Sequence, residues 1–231
     1  MKPALCIVVP VLNEAATLAA HLDHLQAFRR HGAHLVVVDG GSEDDSLAIA
    51  RARADLAFVA PRGRAAQMNA GAAACPGEAL LFLHADTRLP HDANVRVQRA
   101  ILAGSGWGRF DTRIDSPRLA LHLVAFLMNC RSRWTGIATG DQAMFVRYEL
   151  FHAIGGFPDI ALMEDIAISR ILLPRGLPAC LRQQVITSAR RWEQQGIWRT
   201  IFLMWRLRAA YFFGADPSRL ALQYGYRPPN P

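Results

Sequence analysis

Val36-Val37-Val38-Asp39-Gly40-Gly41-Ser42 is the stretch on which the reading of this chain turns. Three β-branched residues, preceded by Leu35, suit a strand buried on both faces. They run directly into a carboxylate, two glycines and a hydroxyl. Glycines allow close backbone approach to a ligand and leave N–H groups free. A carboxylate at a strand end can accept a hydrogen bond from a base N–H or a ribose hydroxyl. The same residues also suit a tight turn with an Asp or Ser helix cap.

The pattern repeats on either side. Upstream, Ala4–Pro10 reads as a short buried strand, and Asn13 as the cap of a helix carrying Leu18, Leu22 and Leu25 at helical spacing and ended by Gly32. Downstream, Ser42 or Asp44 can cap a helix from Ser46 to about Arg53. A strand at Leu56–Ala60, a helix at Ala65–Ala74, a turn at Cys75-Pro76-Gly77, a strand at Ala79–His84 and a helix at Asp92–Ala103 follow. Strands alternating with helices at short connections predict a mostly parallel, Rossmann-like α/β sheet with helices on both faces. Such sheets bind ligands beyond the carboxyl ends of their strands. The polar clusters after Val9, Val38 and Leu83 all fall there.

Past residue 105 the alternation loosens. Strands are expected at Arg109–Ile114, Gln142–Val146 and Gln184–Ser188, and helices at Pro117–Cys130, Tyr148–Ala153, Met163–Leu173 and Ile197–Phe213. The tail from Tyr224 is rich in proline and reads as loose. This places one domain at 1–195, with a C-terminal helical extension at 196–231 packed on it.

The bulk numbers narrow the class. The chain has 231 residues with 52% hydrophobic and 19% charged, which excludes disorder. The net charge is +7, and all the basic residues but Lys2 are arginines. Guanidinium forks suit phosphate oxygens, whether of nucleic acid, lipid headgroups or phosphorylated small molecules. No nucleic-acid-binding module is recognisable, so nucleic acid is not expected as a partner. The N-terminal apolar run is too short and too soon interrupted for a signal peptide, and no stretch offers the ~20 apolar residues of a membrane span. A cytoplasmic location follows, and the four cysteines read as free thiols in a reducing compartment. The aromatic and arginine mixture of 197–213 leaves two readings open: peripheral contact with the inner membrane, or packing on the domain or in a homodimer.

Several residues carry candidate chemistry. His84 and Asp86, two apart in an extended segment, would point to one side and could hold a divalent ion. Each also suits a plainer role, as a core histidine and a turn cap. Glu164-Asp165 opens a helix, where carboxylates are stabilised as anions. Adjacent acids can raise the pKa again and restore basicity. Arg190-Arg191-Trp192 suits a diphosphate clamp with a stacking wall, or a solvated basic turn. The loop Thr139-Gly140-Asp141-Gln142 faces a sugar or an acceptor, or is simply a turn. Neither a dinucleotide fingerprint after the first strand nor a Walker loop is present, which argues against a nicotinamide dehydrogenase and a P-loop NTPase.

Taken in order, Ile7-Val-Val-Pro10-Val-Leu-Asn13-Glu14, the Asp39 stretch, Phe82-Leu-His84-Ala-Asp86-Thr87, Gly155-Gly-Phe157 and Glu164-Asp165 resemble the family 2 glycosyltransferases of the GT-A fold, across residues 4 to 195. The subgroup most resembled is the small bacterial radical-SAM/selenodomain-associated transferases. The resemblance implies an inverting enzyme that uses a nucleoside-diphosphate sugar, uridine-linked, an acceptor hydroxyl that can be lipid-linked, and Mg²⁺ or Mn²⁺. It implies a nucleotide-sugar pocket built from Pro10, Asn13, Glu14, Asp39, Gly41, Ser42, Arg64, Asn69, Arg191 and Trp192, to which the reading of the residues adds Asp141, Glu164 and Arg190. Asp86 matches the last acid of the family's D-x-D motif, and His84 stands where the first acid is usual. Asp165 matches the catalytic base. A sugar-1-phosphate nucleotidylyltransferase and a non-catalytic nucleotide-sugar or anion-binding protein are the rival classes. The first lacks here its Gly-rich, Arg-containing loop after the first strand.

Overall fold

The computed structural model describes residues 4–75 and 77–226. Eight strands form one sheet: β1 Leu5–Val11, β2 His34–Asp39, β3 Leu56–Val59, β4 Ala79–Phe82, β5 Thr87–Arg88, β6 Trp107–Asp115, β7 Phe145–Arg147 and β8 Ala179–Ser188. Their order is β3-β2-β1-β4-β7-β6-β8-β5. The first four are parallel; β7 then enters antiparallel to both β4 and β6, and β8 runs parallel to β6. The parallel expectation therefore holds for the N-terminal half, and the second half is mixed.

Ten helices flank the sheet among the described residues: α1 Ala15–Arg30, α2 Ser46–Arg51, α3 Arg64–Ala73, α4 Ala93–Leu102, α5 Leu119–Thr135, α6 Tyr148–Ala153, α7 Glu164–Leu172, α8 Arg190–Gln195, α9 Ile197–Phe212 and α10 Pro217–Tyr224. The two-residue period of the strands sorts the core into two layers. Leu5, Ile7 and Val9 of β1, with Leu35 and Val37 of β2, pack against Leu18, Leu22 and Leu25 of α1 and Val97 of α4. Cys6, Val8, Val36 and Val38 face the other way, onto Ala65, Met68 and Ala72 of α3, with Phe151 of α6 and Ile168 of α7 in the same layer. A smaller cluster joins Leu162, Met163 and Ile166 to Leu207 of α9 and Leu220 of α10. The C-terminal helices are thereby packed on the N-terminus of α7.

Several sequence expectations are corrected. Asn13 does not cap α1; it lies in the left-handed region at φ 53°, where Asn is tolerated, and Glu14 is the residue preceding the helix. β4 ends at Phe82, and Ala85-Asp86 form a turn closed by Thr87 N–H donating to the His84 carbonyl. His84 and Asp86 are therefore not alternate residues of one extended strand. β7 begins at Phe145 because Gly140–Gln142 winds into a 3₁₀ turn and Ala143 takes φ 44°. β8 starts at Ala179, earlier than expected, and β5, α8 and α10 were not anticipated. Tyr224 closes α10 as its last helical residue, so the start of the expected loose tail is helical; the Pro-rich residues past Tyr226, like Pro76 of the expected turn, lie outside the described residues. Cys6 and Cys75 form a disulfide with Cα atoms 6.1 Å apart, which replaces the reading of four free thiols.

Gly71 sets how closely α3 approaches the sheet. A Cβ there would overlap Val8 and lie 3.0 Å from Val38 Cγ2. Gly71→Val is expected to destabilise the protein by about 1–3 kcal/mol or more through overpacking. Ala73→Val, on the exposed side of the same helix, should cost only about 0.5 kcal/mol of helix propensity. Denaturant midpoints of the two variants check this.

Candidate active site

The site lies where β1, β2 and β4 end. Asp39, the last residue of β2, is 1% exposed. Its Oδ1 accepts the N–H groups of Gly41 at 2.8 Å and Ser42 at 2.7 Å. Its Oδ2 is buried and has no partner. The turn it organises is stitched to the start of α1. Ser42 Oγ accepts from Asn13 N–H and Ser46 Oγ from Glu14 N–H, both at 2.9 Å, and the Asp44 carboxylate accepts from Ala15 N–H at 3.0 Å. Asn13 Oδ1 in turn accepts from Glu43 N–H at 2.8 Å. Asn13 is thus tied to both Ser42 and Glu43, and the helix start borrows its caps from a loop about thirty residues away.

Beneath this turn sits Gln67 of α3, buried and unassigned in the sequence analysis. Its side-chain amide donates to the carbonyls of Val11 and Val38, both at 2.8 Å. It locks the ends of β1 and β2 together under Gly40, where a Cβ would stand 3.0 Å from Gln67 Oε1. Asn69, expected to face the nucleotide, is committed elsewhere. Its amide donates to the Phe157 carbonyl and accepts from the Phe157 N–H, so it anchors the Gly155-Gly156-Phe157 turn.

Beyond the strand ends opens a cavity of about 560 Å³. Pro10, Glu14, Arg64, His84, Asp86, Asp141, Glu164, Arg190, Arg191 and Trp192 all line it. Asn13, Asp39, Gly41, Ser42, Asn69 and Asp165 stand outside its lining. Arg190 reaches both oxygens of Glu14 at 3.0 and 3.1 Å. Arg191 donates to the Tyr224 carbonyl at 2.7 Å and lies over the Tyr224 ring, 3.5 Å from its centroid. Arg62, with its Nε unpartnered, adds a further guanidinium to the lining. Tyr224 and Tyr226 belong to the C-terminal segment that had read as loose. The sequence signal for that helix was Asp216-Pro217: Asp216 accepts from Ser218 N–H at 3.0 Å and Pro217 takes the first helical position.

His84 Nδ1 is 3.6 Å from Asp141 Oδ1. Enclosure acts to raise the Asp141 carboxyl, but His84, Arg64 and Arg191 outweigh it and hold it below the usual range. The next acids go the other way. Glu164 is 5% exposed; burial first, and then the charge of Asp165, push its pKa up against the pull of Arg64. Asp165 is also raised by burial, although its carboxylate accepts from Gly140 N–H at 2.9 Å and Ile166 N–H at 2.7 Å. Both acids stand at the first turn of α7, entered through Met163 at φ 71°.

No cluster of three or more His, Cys, Asp or Glu side chains that could hold a metal occurs among the described residues. Asp86 is exposed at the cavity wall with His84 also lining it. One carboxylate and one imidazole do not make a cage. They fit an ion that takes its remaining ligands from substrate phosphates and water, the usual habit of Mg²⁺.

The model of the family described as "Glycosyl transferase family 2" matches residues 6–147, which span β1 to β7 and most of the site. The chain belongs to that family. Curated relatives of this family 2 chain include the PGL/p-HBAD biosynthesis glycosyltransferase of Mycobacterium bovis (strain BCG / Pasteur 1173P2), 30% identical over 172 residues, covering 67% of this chain and 63% of the relative. Another is the undecaprenyl-phosphate 4-deoxy-4-formamido-L-arabinose transferase of Pseudomonas syringae pv. syringae (strain B728a), 32% identical over 161 residues, or 61% and 45% of the two chains. The chain spans less than two thirds of the length of either relative. Among solved structures, S. aureus TarS 1-349 in complex with UDP-GlcNAc superposes with a TM-score of 0.64 at 17% identity, covering 81% of this chain and 58% of that one. The mannosyltransferase PcManGT of Pyrobaculum calidifontis, in complex with GDP-Man and Mn²⁺, gives 0.62 at 20% identity, covering 98% and 70%. These likenesses establish the GT-A fold.

Gln67→Leu keeps the volume but takes a donor from two buried carbonyls, of which Val11 keeps its bond from Gly40 N–H. It is expected to cost about 1–3 kcal/mol, read as a lowered urea midpoint. Gln67→Glu should be worse still, because a carboxylate cannot donate to either carbonyl.

Proposed function

We propose that this chain transfers a sugar, with inversion, from a nucleoside-diphosphate sugar to an acceptor hydroxyl. The observation that carries the reading is a single cavity lined by Arg62, Arg64, Arg190 and Arg191 together with Glu164, whose neighbour Asp165 shares its raised pKa. Guanidinium groups suit the diphosphate, both at rest and as it departs with negative charge. The unpartnered Asp39 Oδ2 suits a donor N–H of the base, and uridine supplies one. The relative named for undecaprenyl phosphate supports an acceptor carried on a lipid.

In the reaction Asp165 accepts the proton of the acceptor hydroxyl as its oxygen attacks the anomeric carbon from the side opposite the diphosphate. The bond from that carbon to the diphosphate oxygen breaks in the same displacement. Gly140 and Ile166 hold the Asp165 carboxylate in place through its two N–H bonds. Burial, and after it the negative charge of Asp141, keep it basic. Arg64 and Arg191 hold the leaving group in the cavity. A Mg²⁺ or Mn²⁺ ion, when bound at Asp86 with His84 beside it, supplies further charge neutralisation to the diphosphate.

Asp165→Asn is expected to lower kcat by about 10²–10⁴-fold with donor affinity nearly unchanged. Near-wild-type turnover in this variant, measured as released nucleoside diphosphate, would remove Asp165 from the mechanism. The base must be ionised to act, and its pKa is raised. Activity should therefore fall on acidification with a midpoint above the ordinary carboxylate value of about 4. Asp141→Asn removes the like charge that helps hold this pKa up, so the same midpoint should move to lower pH. A midpoint that stays put or climbs contradicts the coupling.

Asp86→Ala should weaken donor binding in the presence of Mn²⁺ and abolish the difference between Mn²⁺ and chelator. A thermal-shift series with nucleoside-diphosphate sugars reads both. Identical wild-type shifts with and without Mn²⁺ would sink the metal role.

A further inference from the structure

Two of the helices around the cavity carry apolar faces that stay exposed among the described residues. On α5 the exposed residues Leu119, Leu123, Phe126, Leu127 and Trp134 recur at helical spacing, and Trp134 is 89% exposed. On α9 the same holds for Trp198, Phe202, Trp205 and Phe212, with Trp198 77% exposed. Each helix has a separate buried face: Leu121 and Ala125 anchor α5, while Thr200 and Leu207 are buried on α9. The two helices are neighbours. Leu121 and Ala125 share a cluster with Ile197, the first residue of α9. Met128 of α5 and Met204 of α9 line the same cavity. Phe126 and Leu127 immediately precede Met128, and Phe202 and Trp205 flank Met204. Exposed apolar residues scattered singly are ordinary; contiguous faces of this kind mark an interaction surface.

Charge chooses the occupant. Neither helix contains an acidic residue. Arg199 and Arg206 are exposed on α9, and Arg118 is exposed at the start of α5. A two-fold contact between copies sets a surface against itself, so these arginines would find no acidic partner on either helix of the other copy. Anionic lipid headgroups would meet them favourably, while Trp134, Trp198 and Trp205 suit the headgroup boundary, where tryptophan is enriched. Among the described residues no helix is long and apolar enough to cross a membrane, so the contact lies on the bilayer and does not span it.

We infer that α5 and α9 together form a docking surface for an anionic bilayer, beside the active-site cavity that both helices line. The inference deepens the lipid-linked acceptor of the proposed function and rests on that reading for what enters the cavity. The docking itself stands on the two helices.

Flotation of the full chain with phosphatidylcholine vesicles, with and without phosphatidylglycerol, tests it. The wild type should float with the phosphatidylglycerol vesicles at low salt, less so at high salt, and hardly with phosphatidylcholine alone. Phe126→Glu on α5 and Phe202→Glu on α9 should each lower vesicle binding by about tenfold or more. Both side chains are already exposed, so folding and nucleotide-sugar thermal shifts should stay at wild-type values. A wild type that remains in the aqueous fraction overturns the inference. So does wild-type flotation by Phe126→Glu, which would leave α9 acting alone. A concentration-dependent dimer that both substitutions split, with no flotation, would assign the faces to a second copy and equally overturn it. The thermal shifts separate the two ideas: their absence from the wild type refutes the nucleotide-sugar reading whatever the vesicles show, and their presence without flotation refutes only the docking.

Discussion

The side-chain amide of Gln67 holds the site's foundation. Two parallel strands, β1 and β2, end side by side, and two carbonyls there, of Val11 at the end of β1 and of Val38 one residue before the end of β2, meet the buried Gln67 amide. A buried carbonyl without a partner costs about 1–3 kcal/mol. One NH₂ group with two donors answers both, and it can do so only because α3 comes close enough. Gly71, one turn further along α3, permits that approach, and Ala65, Met68 and Ala72 hold it by burial. Once the strand ends are fixed, Gly40 N–H can bond the Val11 carbonyl. Asp39 can then turn its Oδ1 onto Gly41 and Ser42 and leave Oδ2 free. The unpartnered oxygen is thus the end of a chain of satisfied polar groups, held in place by them.

How much of this was legible follows from what each signal depends on. The β-branched runs of β1 and β2 and the spacing of Leu18, Leu22 and Leu25 are local and strong, so the parallel half was readable. The end of β4 was not, because Leu83 is buried like a strand residue although it lies beyond the ladder. That overrun of two residues, Leu83 and His84, misplaced His84 and Asp86 relative to each other. Asn13 reads as a cap because Asn usually is one, and only the return of residues 42–46 shows that the donors of α1 are served from there. Gln67 and Asn69 sit two residues apart on one helix and look alike in sequence. One secures two strands and the other the Phe157 turn, a division set by which elements lie over each. Cys6 and Cys75 pair across 69 residues, a contact that exists only once β1 and α3 are docked.

The C-terminal segment answers two demands. Its inner face packs Leu207 and Leu220 against Leu162, Met163 and Ile166, next to the acids that open α7. Tyr224 then receives Arg191 on its ring and on its carbonyl. The strong cation–π geometry spends that guanidinium partly on the wall, so Arg191 is oriented before any ligand arrives. Arg190 is similarly preset by Glu14. Arginines placed this way lose less rotamer entropy on meeting a diphosphate than free surface arginines would.

Glu164 and Asp165 show the same principle at the proposed base. A helix N-terminus favours carboxylate anions by roughly 0.3–1 kcal/mol, and Asp165 gains two N–H bonds besides. Acting alone, those forces would give a well-placed but weak base. Burial of two adjacent acids opposes them and prevails, so both pKa values rise. The hydrogen bonds therefore determine where the carboxylate points, and burial determines how tightly it holds a proton. An exposed acid pair at a helix start would have the first property without the second. Packing the C-terminal helices against Met163 and Ile166 is what encloses the start of α7. The part of the chain farthest from the nucleotide motifs in sequence thus sets the basicity of the residue that would take the proton.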